Sequence, residues 1–255
     1  MHKLYTGDCL PSLKKLPNNS IDLVCIDPPY NTGMTRRKHD GQNTYEDRYD
    51  NSRAYLKELN PILNECKRVL TNTGSFFSFI DYREQLNYWL LLNKVFGEEC
   101  YMDQIIWHWD HGGRPKNRWA RKYNPIFWYA KDPDNYVCNL VESDRLEYKQ
   151  EGRGVGKIPT NVWWYSFGTN SKNERVDYDG QKPLKIIRRI INVHSNAGDT
   201  VLDCFAGSGT TAVACDQTGR KAIIMERNEA AIPIIKSRMK PILGVLPILE
   251  VIDPS

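Results

Sequence analysis

The chain has 255 residues, 40% of them hydrophobic and 26% charged, an ordinary globular mixture that excludes a disordered or fibrous protein. No apolar run approaches a membrane span, and seven scattered cysteines without a Cys-x-x-Cys pair argue against a disulfide framework or a zinc site. A net charge of +4 permits a nucleic-acid partner without requiring one.

The opening residues Met1-His2-Lys3-Leu4-Tyr5 lack the apolar stretch of a signal peptide, so a soluble intracellular protein is expected. Lys3–Asp8 reads as a short strand and Leu10–Leu16 as a short helix. Ile21–Asp27 is an apolar run stopped by Pro28-Pro29, the pattern of a buried strand, often a parallel one. The polar, glycine-bearing stretch Asn31–Ser52 reads as a mobile loop. Tyr55, Leu59, Ile62, Leu63, Cys66, Val69 and Leu70 then fall at helical spacing, with Pro61 expected to kink the helix or mark its start, and 71–74 expected to end it. Ser75–Ile80 follows as a strand and Gln85–Val95 as a helix. The middle, Ile105–Tyr178, is rich in Trp, Tyr, Gly and charge. Its expected strands, Ile105–Trp109, Ile126–Ala130 and Val162–Tyr165, have no clear helices between them. Alternation then returns with helix Pro183–Val193, strand Thr200–Cys204, helix Thr210–Gln217, strand Arg220–Glu226 and helix Ala230–Met239. Strand–helix alternation at both ends implies an α/β sheet with helices on both faces. The middle reads as an extension of that sheet, not a separate domain.

Two segments carry the chemistry. Asp27-Pro28-Pro29-Tyr30 ends a buried strand, which is where open α/β sheets bind ligands. It offers a carboxylate, a carbonyl held by a stiff turn, and an aromatic ring. Two acceptors beside a ring suit a planar group bearing an exocyclic amine. The plain alternative is a Pro-rich strand end with a surface tyrosine. The second segment, Val201-Leu202-Asp203-Cys204-Phe205-Ala206-Gly207-Ser208-Gly209-Thr210-Thr211, is a strand, a glycine turn and a helix start. No lysine follows Gly209, which disfavours a nucleotide triphosphatase, and Ala212 breaks the dinucleotide fingerprint. Glu226, at the end of the next strand, could take both hydroxyls of a ribose.

Together these motifs resemble the amino-group DNA methyltransferases that use S-adenosylmethionine. The order, catalytic motif before cofactor motif, resembles their β class. Gly7-Asp8-Cys9, Gln181-Lys182-Pro183 and Ile223-Ile224-Met225-Glu226-Arg227 match at suitable places, so the likeness spans most of the chain. It implies a Rossmann-like methyltransferase sheet, mostly parallel with one antiparallel strand, in a circularly permuted motif order. It also implies one catalytic domain over 1–255, with 31–52 and 107–178 as DNA-contacting or target-recognition insertions.

Residue by residue, the resemblance assigns Asp27, Pro28, Pro29 and Tyr30 to catalysis. It gives Asp8 and Cys9 to the cofactor's adenine, Lys182 to its methionine carboxylate, and Asp203, Phe205, Gly207, Ser208, Gly209 and Thr210 to its methionine and ribose. Glu226 would hold the ribose hydroxyls with Arg227 beside it, and Asp27 also borders the cofactor. Read alone, Lys182 is a surface lysine at a helix start, Asp8 a helix cap and Asp203 a turn residue. The family usually has His-Pro-Thr before Gln-Lys-Pro; here Tyr178-Asp179-Gly180 stands instead, with Tyr178 at the histidine's place.

The reaction implied is methyl transfer to the N6 amine of an adenine flipped out of double-stranded DNA, without a metal. Asp as the first motif residue leans to adenine and Ser to cytosine in this family, so cytosine-N4 is the nearest alternative and a non-catalytic nucleic-acid binder a more distant one. The lack of His-x-Glu with Cys-x-x-Cys removes a zinc deaminase. Arg114, Lys116, Arg118, Arg121 and Lys122 lie in a stretch without Asp or Glu, interleaved with Trp119 and Tyr123, and are expected to contact DNA. Arg36, Arg37 and Lys38 sit in the loop after the catalytic motif, expected to close on the flipped nucleotide. Residues 140–178, with Arg145, Lys149, Arg153 and Lys157, could recognise sequence. A homodimer and a cognate restriction endonuclease are open as partners, in the cytoplasm of a prokaryote or a virus-infected cell.

Overall fold

Ile21–Ile26 (β2) is apolar at nearly every position, and Leu23, Val24, Cys25 and Ile26 are all buried. A strand covered on both faces needs a layer above and a layer below. The computed structural model supplies both; it describes residues 1–37, 43–110, 112–140, 158–165, 174–176, 178–240 and 249–253.

The strands before and around β2 are β1 (His2–Thr6), a hairpin of β3 (Met34–Arg37) and β4 (Asn43–Asp47), and β5 (Leu70–Phe79). They are followed by β6 (Tyr101–His108), β7 (Tyr123–Ala130), β8 (Val162–Trp164), β9 (Thr200–Asp203), β10 (Lys221–Glu226) and β11 (Leu249–Ile252). The helices are α1 (Cys9–Lys15), α2 (Ser52–Val69), α3 (Gln85–Phe96), α4 (Leu184–His194), α5 (Thr210–Gln217) and α6 (Ile232–Arg238).

Nine strands form one sheet in the order β11-β1-β10-β9-β2-β5-β7-β6-β8. Pairing is parallel from β11 through β5, and β6 pairs in parallel with β8. Only β7, among the described strands of this sheet, runs the other way, antiparallel to both β5 and β6. The expected mostly parallel sheet with one antiparallel strand is therefore present. Helices α1, α2 and α3 pack together, and α4 packs with α5. Helix α4 buries Ile186, Ile187, Ile190 and Ile191, one stripe at helical spacing.

Several boundaries differ from the sequence reading. Helix α2 starts at Ser52, where the Asn51 side chain accepts the Ala54 N–H at 3.0 Å, and Pro61 lies inside it. Pro61 does not mark the start because a capped helix with six buried side chains tolerates one missing N–H. Residues 71–74 belong to β5, not to a turn. A Cβ at Gly74 would lie 2.8 Å from Leu70 and 3.0 Å from the Asp22 carbonyl, so glycine lets the two backbones meet where the β2–β5 register shifts. The stretch expected as loop 31–52 contains the β3–β4 hairpin, because Asn31 reverses the chain at φ 53° and Asp47 gathers the N–H groups of Asn31 and Thr32. Strand β11 pairs with β1 at the sheet edge and was not expected.

Where β5 and β7 meet α4, the His194 ring stands 4.7 Å from Phe77 and 4.5 Å from Trp128, with Nδ1 donating to the Val137 carbonyl at 3.3 Å. Burial lowers its pKa from 6.5 to about 3, against a weaker raising effect of the hydrogen bond. The unfolded chain protonates this ring first, so the stability it confers is full above pH 6.5 and is lost as pH falls towards 3. His194→Gln should therefore narrow its stability gap to the parent by about 2 kcal/mol between pH 7 and pH 5 in urea unfolding. A gap independent of pH would exonerate this imidazole.

Candidate active site

Asp27 leaves the end of β2 into one cleft with the glycine turn that follows β9. The cleft holds about 1340 Å³ including its open mouth, and Asp8, Asp27, Tyr178, Lys182, Asp203 and Glu226 line it. Adjacency of β2 and β9 brings the two motifs together although they lie far apart in sequence.

Asp27 is held on both oxygens. Tyr30 donates its hydroxyl to Oδ1, and the Lys182 ammonium donates to Oδ2. The Tyr30 ring is buried, and Lys182 Nζ lies 5.0 Å from its centroid and 5.7 Å from that of Phe79. Lys182 is itself 8% exposed, so it is no surface lysine. Its neighbour Gln181 ties the chain down, accepting the Val176 N–H at 3.0 Å and donating to the Glu174 carbonyl at 2.8 Å. Glu174 in turn accepts the Leu184 N–H at the start of α4.

The proline turn has partners that no motif announced. Tyr55 donates its hydroxyl to the Pro29 carbonyl at 2.8 Å. Asn31 donates to Glu84 at 2.8 Å, and Ser52 donates to the same oxygen at 2.7 Å. Buried Asp47 accepts from Asn31 N–H at 2.8 Å and from the Thr32 hydroxyl at 2.6 Å. These side chains come from α2, β4 and the start of α3, and only their convergence in space reveals them.

On the β9 side, Gly207 and Gly209 take φ 51° and 76°, a conformation glycine adopts without steric cost. A Cβ on Gly207 would lie 3.1 Å from Tyr178, so Tyr178 packs directly against the turn. Glu226 accepts the Gly207 N–H at 2.6 Å and the Asn228 N–H at 2.7 Å; burial raises its pKa while these bonds oppose the shift. Ser208 and Thr210 are buried, and their hydroxyls meet Arg238 of α6 at 3.1 Å each. Asp8 caps α1 by accepting the Leu10 N–H at 2.9 Å, Cys9 is buried beside it, and Phe205 is half-buried. Arg227 is exposed and reaches Glu58 at 3.5 Å.

The residues expected to contact DNA divide. The segment between β6 and β7 leaves and re-enters the sheet at the carboxyl edge, the edge that carries Asp27, and Trp109 N–H closes its base on the Lys122 carbonyl at 3.0 Å. Lys116 and Arg118 are exposed on it. Arg121 donates to the Tyr82 hydroxyl at 2.6 Å and lies 4.2 Å over that ring. Arg114 pairs with Asp110, so the expectation of cations without an acidic neighbour is corrected there: Asp110 lies just before the stretch that lacks acids. Arg36 and Arg37 fall on β3, and Lys38 lies outside the described residues, as do Arg145, Lys149, Arg153 and Lys157.

The residues present fit a nucleoside-sized ligand bearing a cation. The turn offers a close backbone approach, and Asp27, Asp203 and Glu226 border one cleft. Asp203 receives the Thr211 hydroxyl at 2.6 Å and the Phe205 N–H at 3.0 Å. Burial nonetheless lifts its pKa to about 7, aided by the charges of Asp27 and Glu226. Carboxyl-carbon NMR of the free protein should show Asp203 titrating near pH 7. Thr211→Val should move that transition upward, because the hydroxyl favours the ionised form.

Comparison with known proteins identifies the family. The model of the N6/N4 DNA methylase family matches residues 21–237. The DNA adenine methyltransferase YhdJ of Escherichia coli is 33% identical over 238 residues, 87% of this chain and 77% of that protein. The type II methyltransferase M.HpaI of Haemophilus parainfluenzae is 29% identical over 93% of this chain and 74% of its own length. Among solved structures, the cytosine-N4-specific PvuII DNA methyltransferase superposes with a TM-score of 0.73 at 18% identity, covering 97% of this chain and 89% of its own. TTHA0409 of Thermus thermophilus, complexed with S-adenosyl-L-methionine, gives 0.68 at 23% identity, covering 100% of this chain and 99% of its own. The chain belongs to the N6/N4 DNA methylase family, whose members methylate an amino group of a DNA base with S-adenosylmethionine as methyl donor.

Proposed function

We propose that the protein transfers a methyl group to the exocyclic N6 of an adenine flipped out of double-stranded DNA. The observation that carries this reading is the meeting of Asp27, with its Pro28-Pro29-Tyr30 turn, and the Gly207–Glu226 turn in one cleft. The aspartate that begins the motif and the likeness to an adenine methyltransferase at 33% identity support adenine. The fold likeness to a cytosine-N4 enzyme keeps cytosine-N4 as the second reading.

S-adenosylmethionine supplies an electrophilic methyl on a sulfonium. The residues that would hold it are Asp8, Cys9, Lys182, Asp203, Phe205, Gly207, Ser208, Gly209, Thr210, Glu226 and Arg227. Glu226 keeps the turn in shape through Gly207 while its carboxylate faces the cleft. The target amine is a poor nucleophile because its lone pair is spread into the ring. Asp27 and the Pro28 carbonyl accept its two N–H hydrogens and favour the localised lone pair, so positioning and electrostatics supply the rate. Tyr30 and Lys182 fix the Asp27 carboxylate in orientation before the base arrives. The whole chain is read as one catalytic domain, with 31–52 and 107–178 contacting DNA. A homodimer and a cognate restriction endonuclease stay open as partners in this reading.

Nucleoside mass spectrometry of unmethylated genomic DNA, incubated with the protein and labelled cofactor, should reveal N6-methyladenine; N4-methylcytosine would favour the second reading. Asp27→Ala should cut transfer at least about a hundredfold. Glu226→Ala should weaken cofactor binding by about 1.5–3 kcal/mol in calorimetry. Normal turnover by the first variant, or normal affinity in the second, removes the respective role.

Lys116 and Arg118 test the DNA face. Removing one cation that neutralises a phosphate lowers the slope of log affinity against log salt by about 0.9, so Lys116→Ala with Arg118→Ala should flatten it by about 1.8. An unchanged slope would assign both side chains to the solvated surface.

A further inference from the structure

Trp119 is 94% exposed, the most exposed large apolar side chain among the described residues. A single exposed apolar residue is ordinary. The position of this one is not. Residues 112–119 are all exposed, and the indole is flanked by Lys116 and Arg118 on one side and Arg121 on the other. The segment that carries it springs from the carboxyl edge of the sheet, the edge that carries Asp27, with β5 between β2 and the β7 end of the segment. Arg121 is fixed on Tyr82, just past the end of β5, and the next residue, Arg83, donates to the Thr32 carbonyl at 3.0 Å. Tyr82-Arg83 therefore ties the basic segment to the chain that leaves the Asp27–Tyr30 turn.

Taking a base out of a duplex leaves a gap in the stack and an unpaired partner base. Apolar side chains that enter such gaps are a recurring device of proteins that deform DNA. The wedge must be flat, project into solvent, and be surrounded by cations that hold the phosphates on either side. Trp119 is flat, projects into solvent and has the exposed cations Lys116, Arg118 and Arg121 beside it in the chain, whereas Trp107 and Trp163 are buried and Trp164 lies on β8 at the far edge of the sheet. We propose that Trp119 is the stacking wedge that occupies the gap left by the flipped base and holds it open during methyl transfer. The proposal rests on the reading of the protein as a base-flipping DNA methyltransferase.

The test uses the full chain and a duplex oligonucleotide bearing the site found by mapping modified positions in genomic DNA. One duplex is fully paired, and the other carries a mismatch opposite the target, so that the base is already loosened. Trp119→Ala should slow single-turnover methylation of the paired duplex by about ten- to a hundredfold, the range for removing one base–aromatic stack. On the mismatched duplex the loss should be under about threefold, because the unpairing cost has been removed in advance. Trp119→Phe should restore most of the rate on the paired duplex, and S-adenosylmethionine affinity should match the wild type in both variants. Undiminished methylation of the paired duplex by the alanine variant overturns the proposal. So does an equal loss on both duplexes, which would make Trp119 a general DNA contact. A wild-type protein that methylates no duplex DNA overturns the underlying reading, and the wedge with it.

Discussion

The contact between the Lys182 ammonium and the Asp27 carboxylate joins residues 155 positions apart and sets the geometry around it. A charge taken out of water must be paired, and Asp27 supplies the carboxylate that the nearly buried Lys182 needs. Removing Asp27 would leave the nearly buried Lys182 ammonium without its carboxylate, whereas without Lys182 the Asp27 carboxylate, open to the cleft, would keep Tyr30. Tyr30 bonds to the same carboxylate, so the aromatic side chain, the acid and the lysine form a single unit. Lys182 can occupy its place only because Gln181 fastens the preceding chain to 174–176 and Glu174 caps the following helix. The conformation of the Asp-Pro-Pro-Tyr turn is thus under the control of a segment near the other end of the protein.

The glycine turn follows a similar logic with different chemistry. Glycine permits left-handed backbone at 207 and 209 but does not enforce it. Enforcement comes from outside: Glu226 grips the Gly207 N–H, Tyr178 packs on its α-carbon, and Arg238 donates to the Ser208 carbonyl at 2.8 Å. The Tyr178 ring fills the space above the turn. A flat side chain at this point serves as a wall of the cleft whatever its hydrogen bonding.

Much of this was legible in the sequence because it is local. A strand ended by Asp-Pro-Pro-Tyr, a glycine turn between strand and helix, and an acid at the next strand's end are contiguous patterns, and the structure brings them into one cleft. Helical spacing located α2, α3 and α4 to within a few residues. What escaped was set by contacts between distant segments. Asp47, Tyr55 and Glu84 looked like ordinary loop and helix residues until their partners at Pro29, Asn31 and Thr32 were in place. The β3–β4 hairpin is polar and short, so no apolar alternation marked it. The pairing of Arg114 with Asp110 escaped because the acid lies just before the acid-free stretch 111–131. Burial of Lys182 was invisible too, since Gln-Lys-Pro before a helix reads equally well as a solvated cap.

The strand order has a consequence for how the molecule is made. β1 is synthesised early, yet its two neighbours, β10 and β11, come from the last part of the chain, and β2 waits for β9 on one side. During translation, the early strands therefore present open hydrogen-bonding edges until β9, β10 and β11 emerge. Contacts of such long sequence separation form slowly and late. Unpaired strand edges in the meantime are templates for association with other chains. The cleft itself has no partial version: until Glu226 has emerged and β9 and β10 have docked, neither motif has its counterpart. A nascent chain accordingly lacks the complete cleft, which arrives in one step with the closing of the sheet.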